Sequence, residues 1–199
     1  MANAFIQERE LFPPVMPFHS GFLNRNKHEI YYEQCGNRLG QPVLFLHGGP
    51  GAGTAPAHRR LFDPQRFHVV LFDQRGCGQS RPYASLDENS TDMLIDDMEA
   101  LRQSLDIDKF VLFGGSWGST LALAYAIAYP ENVSGLILRG IFLGTRPEVD
   151  WFLNDMGRFF PEAHDKFIGH LAPVERIDLL NSYFKRLVDS NPAVHQKAA

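Results

Sequence analysis

The feature that most constrains this chain is residues 109–129, KFVLFGGSWGSTLALAYAIAY. Residues 110–113 form a short continuous run of branched and aromatic apolar side chains, the pattern of a strand buried on both faces. Leu121, Ala124, Tyr125 and Ala128 then recur at helical spacing, so a strand turns into a helix within a few residues. At the break, Gly114, Ser116 and Gly118 fill the fixed places of G-x-S-x-G. A turn this abrupt predicts a strained backbone at Ser116, neighbours without a Cβ, and a hydroxyl lifted to the helix N-terminus as a nucleophile. Alone, the pattern fits an ordinary glycine-rich turn equally well, and its surroundings must decide.

Those surroundings repeat the same alternation. Residues 21–25 and 29–35 read as two strands joined by the polar turn Asn26-Lys27-His28, an antiparallel start to a sheet. Strands follow at 43–46, 68–72 and 133–138, with a short helix at 57–62 and an amphipathic helix from Ser90 to Leu105, carried by Leu94, Ile95, Met98, Leu101 and Leu105 and capped by Ser90 or Thr91. Strand, loop and helix in alternation from 43 to 140 predict an α/β fold with a mostly parallel sheet, whose ligand sites lie at the carboxyl ends of the strands. Residues 1–20, with Pro13, Pro14 and Pro17, read as an extended arm. Beyond Arg139 the pattern changes to helices over 148–160, 161–171 and 175–188 with no strand between them. The expected division is therefore a core over 1–140 and a partial helical cap over 141–199.

Three glycine-rich loops follow three of these strands: HGGPGAG at 47–53, DQRGCGQS at 73–80 and GGSWG at 114–118. A parallel sheet gathers all three at one edge. Acyl transfer requires a nucleophile, a base for its proton and N–H donors aimed at the developing oxyanion. The HGGPG loop can supply such donors, because glycines let backbone amides approach a substrate oxygen, and the amide of Trp117 is the second donor of such a turn. His47 is expected to make a structural hydrogen bond rather than serve as the base. Asp73 and Arg75 are expected to brace the loops through buried charge-assisted bonds, with Gly76 and Gly78 packing beneath the serine.

Composition narrows the field further. Hydrophobic residues at 44% and charged residues at 21% fit a globular chain of 199 residues, and a net charge of −4 with scattered Lys and Arg argues against nucleic acid. Neither a basic-then-apolar leader nor an apolar run of about 18 residues is seen, which reads as a cytoplasmic protein outside the membrane. Cys35 and Cys77 lie far apart and read as free thiols.

Together, HGGPGAG, DQRGCGQS-R-P, GGSWGSTLALAYAIAYPE-x-V and L-I-L-R-G-I-F resemble the proline iminopeptidases, serine peptidases of the α/β-hydrolase fold, from about Pro17 onward. The resemblance implies release of N-terminal proline from peptides through an acyl-enzyme on Ser116, with Gly49 and Trp117 as oxyanion donors. It also implies a helical cap whose aromatic residues help form the proline pocket, here Phe142 and Trp151, and it implies no metal or organic cofactor.

The chain departs from that pattern in one respect. The fold orders its triad as Ser, then Asp or Glu, then His, the last two on loops after later strands. The acids and histidines downstream of Ser116, among them Asp150, His164, His170 and His195, lie in or between predicted helices, so the acid and base are expected on sequence beyond Ala199. Two other readings stay open: a short, non-catalytic relative that binds peptide or protein, and an esterase or amidase of other specificity.

Overall fold

The computed structural model describes residues 10–198. Six strands make one sheet: β1 (His19–Arg25), β2 (His28–Gly36), β3 (Gln41–Leu46), β4 (Phe67–Phe72), β5 (Phe110–Gly115) and β6 (Val133–Arg139), in the order β1-β2-β4-β3-β5-β6. The pairs β1–β2 and β2–β4 are antiparallel, whereas β4, β3, β5 and β6 run parallel. The predicted arm lies partly outside the described residues. Residues 10–18 carry no regular element and are tied down by Phe12 N–H to the Arg60 carbonyl (3.0 Å) and Phe18 N–H to the Gln34 carbonyl (2.9 Å), while His19 and Ser20, expected in the arm, already pair in β1.

The central strands are apolar throughout because each serves two cores. Leu44 and Leu46 of β3 and Val70 and Phe72 of β4 pack on one face with the buried sides of α2 (Thr91–Ser104) and α3 (Trp117–Ala128). Val43, Phe45, Val69 and Leu71 point to the other face, where they meet Phe62 and Cys35 beside the short α1 (Pro56–Arg59). Alternation of side chains across a strand produces this division, and burying each large apolar side chain contributes about 1.5–3 kcal/mol. Ser90 caps α2, its hydroxyl accepting the Met93 N–H. At the sheet's far edge β6 pairs only with β5, and Leu136 and Ile137 remain 41% and 48% exposed.

The chain divides into two compact units between Leu143 and Gly144. The second holds α4 (Arg146–Leu153), α5 (Pro161–Gly169), α6 (Leu179–Leu187) and α7 (Pro192–Ala198). The helix predicted over 148–160 stops at Leu153: Asn154 closes it, and Asp155–Arg158 form a separate 3-10 turn, since Asn and Asp compete for backbone groups and disfavour helix interiors. The helix predicted over 175–188 likewise starts as a 3-10 turn, Glu175–Asp178, after which the Asp178 carboxylate accepts the Asn181 N–H and starts α6. Helix α7 was not predicted, although Asn191-Pro192, a capping residue before a proline at the first helical position, signals it. No helix among the described residues is long and apolar enough to cross a membrane.

Candidate active site

After β3 the chain adds β4 on one side and then β5 and β6 on the other, so the order of strand addition reverses between β3 and β5, which remain parallel. Open α/β sheets form their ligand crevice at that point, beyond the carboxyl ends of the strands. Leu46 pairs with Gly114 there, and the loops carrying HGGPG and GGSWG emerge side by side.

Ser116 stands between β5 and α3 with φ 54° and ψ −126°, a conformation that side-chain-bearing residues adopt only when their surroundings enforce it. The enforcement is visible. Its N–H donates to the Arg139 carbonyl at 3.1 Å, and its own carbonyl accepts both the Ser119 N–H (2.8 Å) and the Ser119 hydroxyl (2.6 Å). A Cβ on Gly118 would lie 2.2 Å from the Leu46 carbonyl oxygen, so only glycine lets the start of α3 sit against the end of β3. The result is an exposed serine at a helix N-terminus. As the first residue of α3, Trp117 has an N–H with no intrahelical acceptor.

The loop after β3 closes over this turn. A Cβ on Gly48 would come within 3.3 Å of the Ser116 Cβ, and Gly49 has φ 118°. His47, 2% exposed, anchors the loop: its Nδ1–H donates to the Gly48 carbonyl (2.9 Å), while Nε2 accepts the Gln74 N–H (3.1 Å). Burial holds its pKa below the ordinary histidine value, so the ring is neutral and both nitrogens are engaged. Gln74 completes the link, donating to the His47 carbonyl (3.0 Å) and accepting the Trp117 indole N–H (2.9 Å). His58, the other histidine on this side, stacks on Phe45 and accepts the Ala55 N–H, its pKa lowered by burial and then by the charge of Arg139. Neither ring is placed as a base for Ser116.

Asp73 and Arg75 both brace the loops, but through separate partners. The Asp73 carboxylate accepts the Thr54 N–H (2.6 Å), the Thr54 hydroxyl (2.8 Å) and the Gln79 N–H (2.8 Å), joining the two glycine loops. Arg75 instead forms a two-point pair with Asp97 of α2 at 2.6 and 2.7 Å, both side chains 1% exposed. Gly78 packs against the Asp73 carboxylate and Gly76 against Ser85, not beneath the serine as expected; the loop turns toward α2 before reaching it.

A serine on a strained strand-to-helix turn, with a glycine loop against it, defines the candidate site. The family model for the alpha/beta hydrolase fold matches residues 41–195. The chain belongs to the alpha/beta hydrolase family. It is 48% identical over 193 residues to a probable proline iminopeptidase of Leptolyngbya boryana, covering 96% of this chain and 60% of that one. It is 47% identical over 201 residues to the proline iminopeptidase of Arabidopsis thaliana, covering 100% of this chain and 53% of the relative. The chain thus spans somewhat over half the length of the curated relatives it matches. Among solved structures, a proline iminopeptidase-related protein of Thermus thermophilus superposes with a TM-score of 0.60 at 25% identity, covering 88% of this chain and 62% of that one. VinJ superposes at 0.63 with 23% identity, covering 89% and 64%, a likeness of fold.

Within this hydrolase core Ser116, Gly49 and Trp117 meet at one edge, and Phe142 is fixed nearby: its N–H donates to the Ser119 hydroxyl (3.0 Å) and its carbonyl accepts from Thr120 Oγ1. Trp151 belongs to the other unit, on α4, 49% exposed and 6.4 Å from the Phe159 ring. Sequence reasoning missed the role of Gln74, which lies in the DQRGCGQS loop without being singled out there, and that of Arg139. The Arg139 guanidinium lies over Gly115, where a Cβ would be 3.1 Å from its Nε, so a cation sits at the end of β6 beside the residue that precedes Ser116. The signal was an arginine closing a buried-strand pattern on the strand beside the G-x-S-x-G motif.

Proposed function

We propose that the protein is a serine hydrolase that releases N-terminal proline from peptides through an acyl-enzyme on Ser116. The observation that carries this reading is the positive-φ serine at the reversal of strand order, with the HGGPG loop against it. The choice of proline rests on the names of its relatives. In this mechanism Ser116 Oγ attacks the prolyl carbonyl carbon, and its proton passes to a histidine base. The N–H groups of Gly49 and Trp117 stabilise the oxyanion of the tetrahedral intermediate, which collapses to expel the amine of the remaining peptide. Water then hydrolyses the ester. On this reading Phe142 and Trp151 are the residues that contact the proline, residues 1–140 are the N-terminal part of the core and residues 141–199 a partial helical cap, and the substrates are cytoplasmic peptides. The histidine and its orienting acid belong, on this reading, to sequence that the longer relatives have and this chain lacks. No cofactor is required.

The test uses the protein expressed from its whole gene. Proline p-nitroanilide is expected to turn over faster than the alanine anilide or a simple ester, with Ser116→Ala lowering the rate by several orders of magnitude and abolishing labelling by a serine-directed phosphonate. Preference for the ester would overturn the peptidase assignment, and labelling retained in Ser116→Ala would overturn the nucleophile.

A further inference from the structure

Beside the nucleophile, on its β4 side, the core unit holds a cleft of about 500 Å³ that shares Trp117, Pro50 and Gly51 with the site and runs on to Leu94, Tyr83 and Leu86. Its outer rim is costly to build. Tyr83 and Leu86 are 76% and 72% exposed, on a segment where Ala84 (φ 56°) and Glu88 (φ 46°) occupy the left-handed region. That segment is nonetheless fixed: the Ala84 N–H donates to the Gly76 carbonyl at 2.9 Å, and the Asn89 side-chain amide donates to the carbonyls of Arg75 (3.1 Å) and Ser85 (3.2 Å). Two large apolar side chains are thus held out to solvent by a rigid strap, next to a reactive serine.

The long polar side chains of the cleft wall are already engaged within the protein. The Gln74 amide donates to His47, the Arg75 guanidinium donates to Asp97 and to the Glu88 carbonyl, and the Asn89 amide is engaged as above. The larger part of what is left for a ligand is apolar surface from Trp117, Leu94, Tyr83 and Leu86, with the hydroxyl-bearing Thr91 and Ser85 beside it, which favours an apolar side chain.

We propose that this cleft is the subsite for an apolar or aromatic side chain of the departing peptide, in the residues that follow the scissile bond. The inference rests on the peptidase reading above, in which the acyl part is a single N-terminal residue. Every other side chain of such a substrate lies beyond the scissile bond, and Phe142, assigned to the proline, is attached on the β6 side of Ser116, away from the cleft. Remote apolar contacts of this kind raise specificity by adding binding energy at a distance from the reacting bond.

The test uses the protein expressed from its whole gene, held inactive by Ser116→Ala, and follows binding of Pro-Gly, Pro-Ala, Pro-Leu and Pro-Phe amides by isothermal titration calorimetry. Pro-Leu and Pro-Phe are expected to bind about tenfold or more tighter than Pro-Gly, the scale of discrimination in apolar pockets. Leu86→Asp and Tyr83→Ala, at exposed positions that leave the core intact by circular dichroism, are expected to erase that difference. Equal binding across the series, no binding to any member, or a preference that survives both variants would overturn the subsite. A parallel series with N-terminal alanine separates the two readings. If Pro-Gly and Ala-Gly bind equally while the leucine and phenylalanine preference holds in both series, the cleft stands and the proline assignment fails; if proline is preferred over alanine but neither series favours leucine or phenylalanine over glycine, the cleft fails.

Discussion

The two units of this chain differ in how deeply they hold their ion pairs. In the hydrolase core three pairs lie beneath the surface, Arg75 with Asp97, both side chains 1% exposed, Arg59 with Glu33 at 13% and 3%, and Arg102 with Glu99 at 16% and 11%, although Lys27–Asp87 and Arg81–Glu29 are exposed. In the helical unit Arg146–Asp150 and Arg158–Asp155 face solvent, with arginines 83% and 80% exposed, and Arg186–Glu175 reaches only 28% and 32%. Apolar side chains follow the same division. Both buried clusters belong to the core, whereas among the described residues of the helical unit only Leu171 and Leu179 are buried, and Phe152, Phe159, Phe160 and Phe184 are more than half exposed. The core therefore derives the precision of its site from contacts that fail badly when one partner is lost, and the helical unit derives little from its charges.

The largest break in that contrast is Asp97→Ala. It strands Arg75, whose Nε and Nη2 both point at Asp97, and also removes the partner of Arg25 at 3.0 Å. Leaving this buried guanidinium with only Glu88, through its carbonyl at 2.6 Å and its carboxylate at 3.8 Å, is expected to cost about 3–5 kcal/mol, a large part of a total of about 5–15 kcal/mol, read as a fall in the urea midpoint. Arg75→Met combined with Asp97→Leu removes both charges and is expected to lose less than the single change. A double variant as unstable as the single one would mean that lost packing, not the stranded charge, sets the cost.

Next in size is Ser116→Gly, which should gain stability as it loses any catalysis. The left-handed φ of Ser116 costs about 1–3 kcal/mol, against about 0.5–1 kcal/mol of backbone freedom that glycine gives up on folding. A net gain of about 1 kcal/mol is expected, visible as a rise in Tm. Ser116→Ala, which keeps the strain, should show no such gain. Equal Tm values for the two would contradict strain at the nucleophile.

This strain was legible in the sequence because G-x-S-x-G names it, and the three glycine loops foretold which strand ends meet. The parallel core was legible for the same reason, since strands buried on both faces write unbroken apolar runs such as VLFL and VVLF. What was not legible is side-chain geometry across distant segments. Nothing in DQRGCGQS says that its arginine reaches Asp97 while its aspartate ties down Thr54, because that choice is made by how α2 docks on the sheet. In the helical unit, boundaries went astray where weak periodicity met residues that disfavour helix interiors, at Asn154 and at Asp178, whose carboxylate accepts the Asn181 N–H, since apolar spacing alone does not register such a residue.

A smaller effect separates the units by pH. Burial first of all lowers the pKa values of His47, His58 and His68, all in the core, from 6.5. The unfolded chain then takes up protons before the native state does, so stability is intact above about pH 6.5 and declines as the pH falls below it. A second loss follows lower down: hydrogen bonds from Arg102 above all hold Glu99 at about 2, and that contribution, present above pH 4.5, is lost between 4.5 and about 2. Urea midpoints measured from pH 7.5 to 5.5 should fall on the acid side. A flat profile would mean that these rings accept protons as readily folded as unfolded, and NMR titration of the His47 ring would then show an ordinary midpoint.

The smallest expected effect is Arg146→Ala. Arg146 Nε approaches both Asp150 carboxylate oxygens at 2.9 Å, a geometry that in the core would be decisive. Here the arginine is solvated, and holding two long side chains in one arrangement costs the entropy that the attraction returns. The pair is also oriented against its helix, with the cation in the first turn of α4 and the anion near its end, the reverse of what the macrodipole favours. Removing the arginine takes away an attraction and an unfavourable end charge together, so no measurable change in the urea midpoint is expected. Exchanging the two residues, Arg146→Asp with Asp150→Arg, keeps the pair but aligns it with the dipole and should raise the midpoint slightly. A loss on Arg146→Ala approaching that of Asp97→Ala would mean that burial is not what makes the core's ion pairs decisive.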